Sequence, residues 1–190
     1  MKLYLIRHGR TEASEKRLYC GSTDLPLSPS GAEEIKRLAA EGIYPDMSGC
    51  AVYTSGMRRA DETLALITGA ADRAVIPELR EMDFGAFEMH SYDELKENAD
   101  YIAWISGDNE KNVCPGGESG EGMTLRVKSA LDRLLRDGRD ALVVSHGGPT
   151  AAMMAMLFPG EEKNRYQWQP SPGRGYAVNA DGEHLGYTAI

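Results

Sequence analysis

Two short apolar runs, each ending in a histidine followed by glycine, limit what this chain can fold into more than any other feature. Leu3-Tyr4-Leu5-Ile6 leads into Arg7-His8-Gly9, and Ala141-Leu142-Val143-Val144-Ser145 leads into His146-Gly147-Gly148. Apolar runs without polar alternation are the pattern of strands buried on both faces. Ligands of open α/β sheets bind just beyond the carboxyl ends of strands, so Arg7, His8 and His146 stand where such sheets do their chemistry. A single histidine at a strand end is more often a hydrogen-bonded structural residue. Two in matching contexts, among only four histidines in the chain, point instead to a shared site. His90 and His184 lack that context and read as surface or packing residues.

Strand and helix patterns alternate between the two runs. A polar loop through Leu27 is long enough to suggest a functional loop. The next helix starts either at Ser28 with Pro29 in its first turn or at Ser30 with Glu33 as a capping box, and it buries Ile35, Leu38 and Ala39. A strand over Ala51–Thr54 turns at Ser55-Gly56 into a helix with Ala60, Thr63, Leu64 and Ile67 on one face. Arg58 and Arg59 fall in its first turn, where positive charge opposes the helix dipole, and either one suits a task other than stability. Val75-Ile76 begins another strand. Ser91 with Glu94 opens a helix carrying Leu95, Ile102 and Ile105. Met123, Val127, Ala130, Leu131 and Leu134 stripe a further helix. Ala151 to Phe158 is apolar all round and so a buried helix, whose start against His146 offers free N–H groups to an anion. The tail around Asp181-Gly182 reads as a β-hairpin. The alternation predicts one domain, residues 1–190, built as a three-layer α/β/α sandwich on a mostly parallel sheet.

Composition narrows the partners. A formal charge of −8 is the reverse of a nucleic-acid-binding surface, and an anionic substrate must be drawn by a local positive pocket. Arg7 interrupts the first apolar run too early for a signal peptide, and no run reaches the length of a membrane span. Cys20, Cys50 and Cys114 are few, scattered and free of Cys-x-x-Cys spacing, as expected of reduced thiols; a cytoplasmic location follows. Pro115-Gly116-Gly117-Glu118-Ser119 lacks the Gly-Lys-Ser/Thr of a phosphate-binding P-loop.

If the two histidine-tipped strands are parallel neighbours, both imidazoles emerge at one sheet edge beside Arg7 and either Arg58 or Arg59. Two guanidinium forks, two imidazoles and a helix start suit a tetrahedral dianion. A neutral imidazole is a competent nucleophile toward phosphorus, and a leaving alkoxide needs a proton from a nearby acid. Composition alone does not choose that acid from 29 acidic residues. Metal binding by His8, His146 and a carboxylate is disfavoured, since no helix-spaced His pair or Cys–His spacing supports it.

Taken together in order, these motifs resemble the histidine phosphatase superfamily, in its phosphoglycerate-mutase-like branch and the short bacterial phosphatase type. Arg7-His8-Gly9-x-Thr11 resembles the nucleophile motif, and Gly21 through Ser28 the loop that follows it. Thr54-Ser55-x-Met57-x-Arg59-Ala60-x-x-Thr63 resembles the second phosphate-binding motif and selects Arg59 over Arg58. Leu79-x-Glu81-x-x-Phe84-Gly85 resembles the segment holding the acid and singles out Glu81. The resemblance spans about the first 158 residues. It implies a phosphatase, free of cofactor and metal, that hydrolyses a small phosphorylated molecule through phosphohistidine at His8. Glu81 would give and take the proton, and Arg7, Arg59 and His146 would clamp the phosphoryl group with Ser14, Gly21 and Gly147. The family commonly has Asn where this chain has Ser14, and Glu-Gly where it has Glu88-Met89. A mutase is the first rival, but family mutases carry extra helical structure between acid and second histidine, here only 65 positions apart. A non-catalytic phospho-ligand binder is the second. Substrate specificity is expected in residues 85–117 and 159–173, with Tyr92, Trp104 and Trp168 as candidates; the substrate itself and the oligomeric state stay open.

Overall fold

The computed structural model describes residues 1–69, 72–108, 110–181 and 184–190. Among them are six strands: β1 (Lys2–Arg7), β2 (Ala51–Thr54), β3 (Ala74–Val75), β4 (Ala141–Ser145), β5 (Gly175–Asp181) and β6 (His184–Ala189). They form one sheet in the order β3-β2-β4-β1-β5-β6. β3, β2, β4 and β1 run parallel, and β5 and β6 add antiparallel at one side. The described helices are α1 (Glu12–Glu15), α2 (Pro29–Ala40), α3 (Arg58–Thr68), α4 (Tyr92–Leu95), α5 (Ala99–Ile105), α6 (Gly120–Asp137), α7 (Gly147–Leu157) and α8 (Arg165–Trp168). None is long and apolar enough to cross a membrane. The expected hairpin is present as β5 and β6, with the residues of its turn, 182 and 183, outside the described set.

Both faces of the central strands are covered, which is why their apolar runs are unbroken. Leu3, Leu5, Ala141 and Val143 pack into a core with α6 and α7 residues such as Met123, Val127 and Met153. Tyr4, Ile6, Leu142 and Val144 point the other way, onto Ala60 and Leu64 of α3, against which α2 is laid. The result is an α/β/α sandwich on a mostly parallel sheet.

Local chemistry sets the helix ends. Of the two possible starts, α2 takes Ser28, whose hydroxyl accepts from the Gly31 N–H at 3.0 Å with Pro29 in the first turn. α3 has no side-chain cap of its own, since Met57 precedes it; Asp24 from the preceding loop accepts the Arg58 N–H at 2.8 Å. α6 ends at Gly138, in the left-handed region with φ 71°.

Four details differ from the sequence reading. The loop after His8 contains α1, begun by a capping box between Thr11 and Ser14. β3 comes one residue earlier than Val75-Ile76. The helix opened by Ser91 and Glu94 stops at Leu95, and Asn98 caps a second one by accepting from Asp100 and Tyr101 N–H groups. That restart turns the face, so Tyr101 and Trp104 are buried while Ile102 and Ile105 are exposed. The buried helix begins at Gly147, directly after His146, rather than at Ala151.

Met89 occupies φ 62°. It stands where the family pattern has glycine, and its N–H is committed to the Tyr19 carbonyl at 2.7 Å, which fixes the conformation. A side chain held there costs about 1–2 kcal/mol, whereas glycine gives back about 0.5–1 kcal/mol in lost chain entropy. Met89→Gly is therefore expected to raise the free energy of unfolding by roughly 0.5–1 kcal/mol, read from urea denaturation midpoints at unchanged slope.

Candidate active site

The register of β1 on β4 builds the site. Arg7 pairs with Ser145, and the His8 N–H donates to the Ser145 carbonyl at 2.9 Å, so each strand's next residue is a histidine. The two rings lie 5.0 Å apart between centroids, tilted by 65°. The chain leaves β1 toward α1 and α2 and leaves β4 toward α7 on the opposite face, which opens a crevice at the strand ends. Gly9 must be glycine here, because a Cβ would lie 2.7 Å from the Ile35 side chain.

Hydrogen bonds assign the tautomers. His8 Nδ1 is 2.6 Å from the Gly9 carbonyl, which can only accept, so Nδ1 carries the proton and Nε2 keeps its lone pair. Burial, then the Arg59 and Arg7 charges, hold the His8 ring well below the ordinary histidine value. His146 Nδ1 accepts from Arg59 Nε–H at 3.3 Å, and its Nε2–H donates to Ser55 Oγ at 2.8 Å. Burial, with the positive neighbours, also keeps that ring neutral.

Arg59 is almost wholly buried, whereas Arg58 is exposed and paired with Glu62. Arg59 Nη1 donates to the Thr23 carbonyl at 2.8 Å and Nη2 to the Gly21 carbonyl at 2.7 Å. With the bond to His146, three of its five N–H donors are engaged. Those two carbonyls face Arg59 because Glu88 gathers the other side of the loop. Its carboxylate accepts from Gly21, Ser22 and Thr23 N–H groups and the Thr23 hydroxyl, at 2.7–3.2 Å. Gly21 thus holds Arg59 through its carbonyl, and its amide is already taken. Arg7 donates through Nη1 to the Pro170 carbonyl at 2.8 Å. Its Nε is one of two buried side-chain polar atoms among the described residues with no partner. An orphaned guanidinium N–H beside a neutral imidazole is what an anion would satisfy.

Glu81 faces the same cavity. Its carboxylate accepts from Met82 N–H at 3.0 Å and from Gly148 N–H at 3.1 Å, and so sits at the buried start of α7. A Cβ on residue 148 would lie 2.3 Å from Glu81 Oε1. Arg7, His8, Ser14, Arg59 and Glu81 line a cavity of about 390 Å³. The Ser14 hydroxyl is bonded to the backbone of Thr11, as acceptor and donor at 2.8 Å. Gly147 is buried at the first turn of α7 against Gln169. A second cavity of about 340 Å³ adjoins the first, sharing Tyr19 and Glu81, and is walled by Phe84, Trp104, Tyr166 and Arg165. Of the aromatic candidates, Trp104 lines this second cavity and Tyr92 the first, while Trp168 is buried in a ring cluster with Phe158, Tyr176 and Tyr187. Ser55 and Glu88 were not singled out by the sequence reading as holders of His146 and Arg59. Among the described residues, no group of three or more His, Cys, Asp or Glu side chains is placed to hold a metal ion.

Fold and site together define a mostly parallel α/β protein whose strand ends carry a cup lined by His8, Arg7, Arg59 and Glu81, with the second histidine, His146, fully buried beside His8. The chain matches the histidine phosphatase superfamily (branch 1) over residues 3–186 and belongs to it. The match runs past residue 158 and takes in most of the tail hairpin. Over 164 residues it is 35% identical to an adenosylcobalamin/alpha-ribazole phosphatase of Salmonella typhimurium, covering 83% of this chain and 80% of that protein. It is 34% identical over 166 residues to a 2,3-bisphosphoglycerate-dependent phosphoglycerate mutase of Cytophaga hutchinsonii, covering 82% and 76%. The crystal structure of the alpha-ribazole phosphatase from Shigella flexneri superposes with a TM-score of 0.87 at 28% identity, covering all of this chain and 96% of that one.

The neutral rings make stability depend on pH in one direction. An unfolded histidine takes up its proton near pH 6.5, whereas both rings resist charging in the fold. Their contribution is fully present above that value and is lost as pH falls, by roughly 1 kcal/mol per pH unit for each ring. Urea unfolding followed from about pH 7.5 to 5.5 should show this decline, with a shallower slope in His8→Asn.

Proposed function

We propose that this protein is a phosphatase acting on a small-molecule phosphomonoester through a phosphohistidine on His8, with Glu81 as proton donor and then base. One observation carries the reading: a buried, neutral His8 with Nε2 unprotonated lines a cup with two arginines, its ring centroid 5.0 Å from that of a second imidazole. The lone pair of Nε2 forms the bond to phosphorus as the ester P–O bond breaks, and Glu81 delivers a proton to the departing oxygen. The Glu81 carboxylate then takes a proton from water, the new O–P bond forms, the P–N bond breaks, and inorganic phosphate leaves with Nε2 restored.

Arg7, Arg59 and His146 hold the equatorial oxygens, where charge spreads in the transition state. The Gly147 amide assists, and Ser14 joins by exchanging its bond to the Thr11 carbonyl. Since guanidinium groups supply the positive charge, the reading needs no metal, and chelator is expected to leave activity intact. The organic part lies across Glu81 in the second cavity, whose Tyr19, Phe84, Trp104 and Tyr166 suit a flat ring. The name of the Salmonella relative makes an alpha-ribazole phosphate the first ester to try.

The mutase relative keeps phosphoryl transfer between hydroxyls as a second reading. Incubation with a phosphoglycerate separates the two: free phosphate supports hydrolysis, and isomer without free phosphate overturns it. His8→Ala should lower kcat by at least roughly 10³ and abolish the acid-labile phosphoenzyme trapped from wild type. Near-normal turnover in that variant would remove His8 from the mechanism.

A further inference from the structure

We infer that Arg126, which lies outside every motif quoted above, is the positioning residue for the acid Glu81; the inference rests on the reading of Glu81 as proton donor. The acid belongs to a stretch with little structure of its own. A single 3₁₀ turn over Pro77–Leu79 ends at Arg80 in extended conformation, and among the described residues no strand ladder takes up the carbonyls of Glu78, Arg80 and Glu81. Arg126 takes them up instead. Its Nη1 donates to the carbonyls of Glu78 at 2.8 Å and Arg80 at 2.6 Å, and its Nη2 donates to the carbonyl of Glu81 itself at 2.9 Å.

The remaining donors go to one carboxylate. Nε donates to Glu118 Oε2 at 3.1 Å, and Nη2 also bonds Glu118 Oε1. All five N–H groups are therefore spent, three on the backbone of the acid's segment and two on Glu118. Glu118 grips the far side of the acid: its Oε1 accepts from the Asp83 N–H at 3.0 Å, and its own N–H donates to the Asp83 carbonyl at 3.0 Å. Residues 78 to 83 are in this way hung on α6, an 18-residue helix anchored by Met123 and Val127 in the core. Among the described residues the Glu81 carboxylate has only the Met82 and Gly148 amides to orient it, so its place depends on where its own backbone is held.

Arg126 lines neither cavity, and its hydrogen bonds reach the site through the backbone of Glu81; its charge is also felt at His146, and a lysine keeps that charge. Lysine keeps the charge but not the planar fork, and cannot span three carbonyls and a carboxylate. A displaced acid has a particular signature. Proton donation matters most when the leaving oxygen is strongly basic and least when it departs as a stabilised anion.

The test compares kcat for an alkyl phosphate and for p-nitrophenyl phosphate in wild type, Arg126→Lys, Glu118→Gln and Glu81→Gln. Backbone amide exchange at Met82 and Gly148 is followed in the same proteins. Arg126→Lys and Glu118→Gln are expected to lose on the order of 10² on the alkyl ester and less than about threefold on the nitrophenyl ester, the split shown by Glu81→Gln. Exchange at the two amides should accelerate at least about tenfold relative to amides inside α6. An equal loss on both esters, no loss, or unchanged exchange overturns the inference. Should Arg126→Lys fail to fold, Glu118→Gln decides by the same criteria. Wild type inactive on both esters would refute the phosphatase reading instead, and the exchange rates would still judge the role of Arg126.

Discussion

The parallel pairing of β1 with β4 sets Arg7 opposite Ser145, and the residue after each is a histidine. A slip of one residue would turn every side chain of β1 to the other face of the sheet, so Leu3 and Leu5 would leave the core they share with α6 and α7. The hydrophobic register and the spacing of the imidazoles are therefore one constraint. Burial of these strands secures the 5.0 Å separation of the rings more firmly than any polar contact between them.

Around that pairing, polar groups act in layers. The cup carries Arg7 and Arg59 in a chain whose formal charge is −8. Part of the acidic excess is employed in holding the cationic site rather than neutralising it. Glu88 collects the loop amides so that the Gly21 and Thr23 carbonyls are left to Arg59. Glu118 fastens Arg126 to the segment bearing Glu81. Among the described residues neither carboxylate is hydrogen-bonded to Arg7 or Arg59, so both act on the cationic site through the backbone, and Glu88 also through its charge at a distance.

Legibility in the sequence followed the range of the forces involved. The buried strands, the stripe of α6 and the cap at Ser91 are local patterns, and the chain displays them directly, whereas the start of α2 stays open in the sequence between Ser28 and Ser30 and the structure takes Ser28. Arg58 and Arg59 are adjacent and chemically alike, and their own surroundings did not separate them; the family motif chose Arg59, and the structure buries that side chain and exposes its neighbour. The restart of the helix at Asn98 was missed because a strong capping box at Ser91 masked a second cap seven residues on. Ser55 against His146 joins distant parts of the chain side chain to side chain, and Glu88 against residues 21–23 and Arg126 against residues 78–81 do so through backbone groups. No spacing rule in a single sequence reports such bonds.

Tyr19 divides the two cavities, and none of its fastenings belongs to the sheet. Its backbone is bonded to Met89 and His90, and its hydroxyl lies 2.6 Å from that of Tyr101. The partition is thus built from loops and from the short helices between β3 and α6, while Arg7, His8 and His146 at the ends of β1 and β4 are fixed by the core. Mutational drift can remodel the second cavity without disturbing the strand tips. A lineage built this way can exchange one ester for another by swapping wall residues, and proteins on this scaffold bear names as different as phosphatase and mutase.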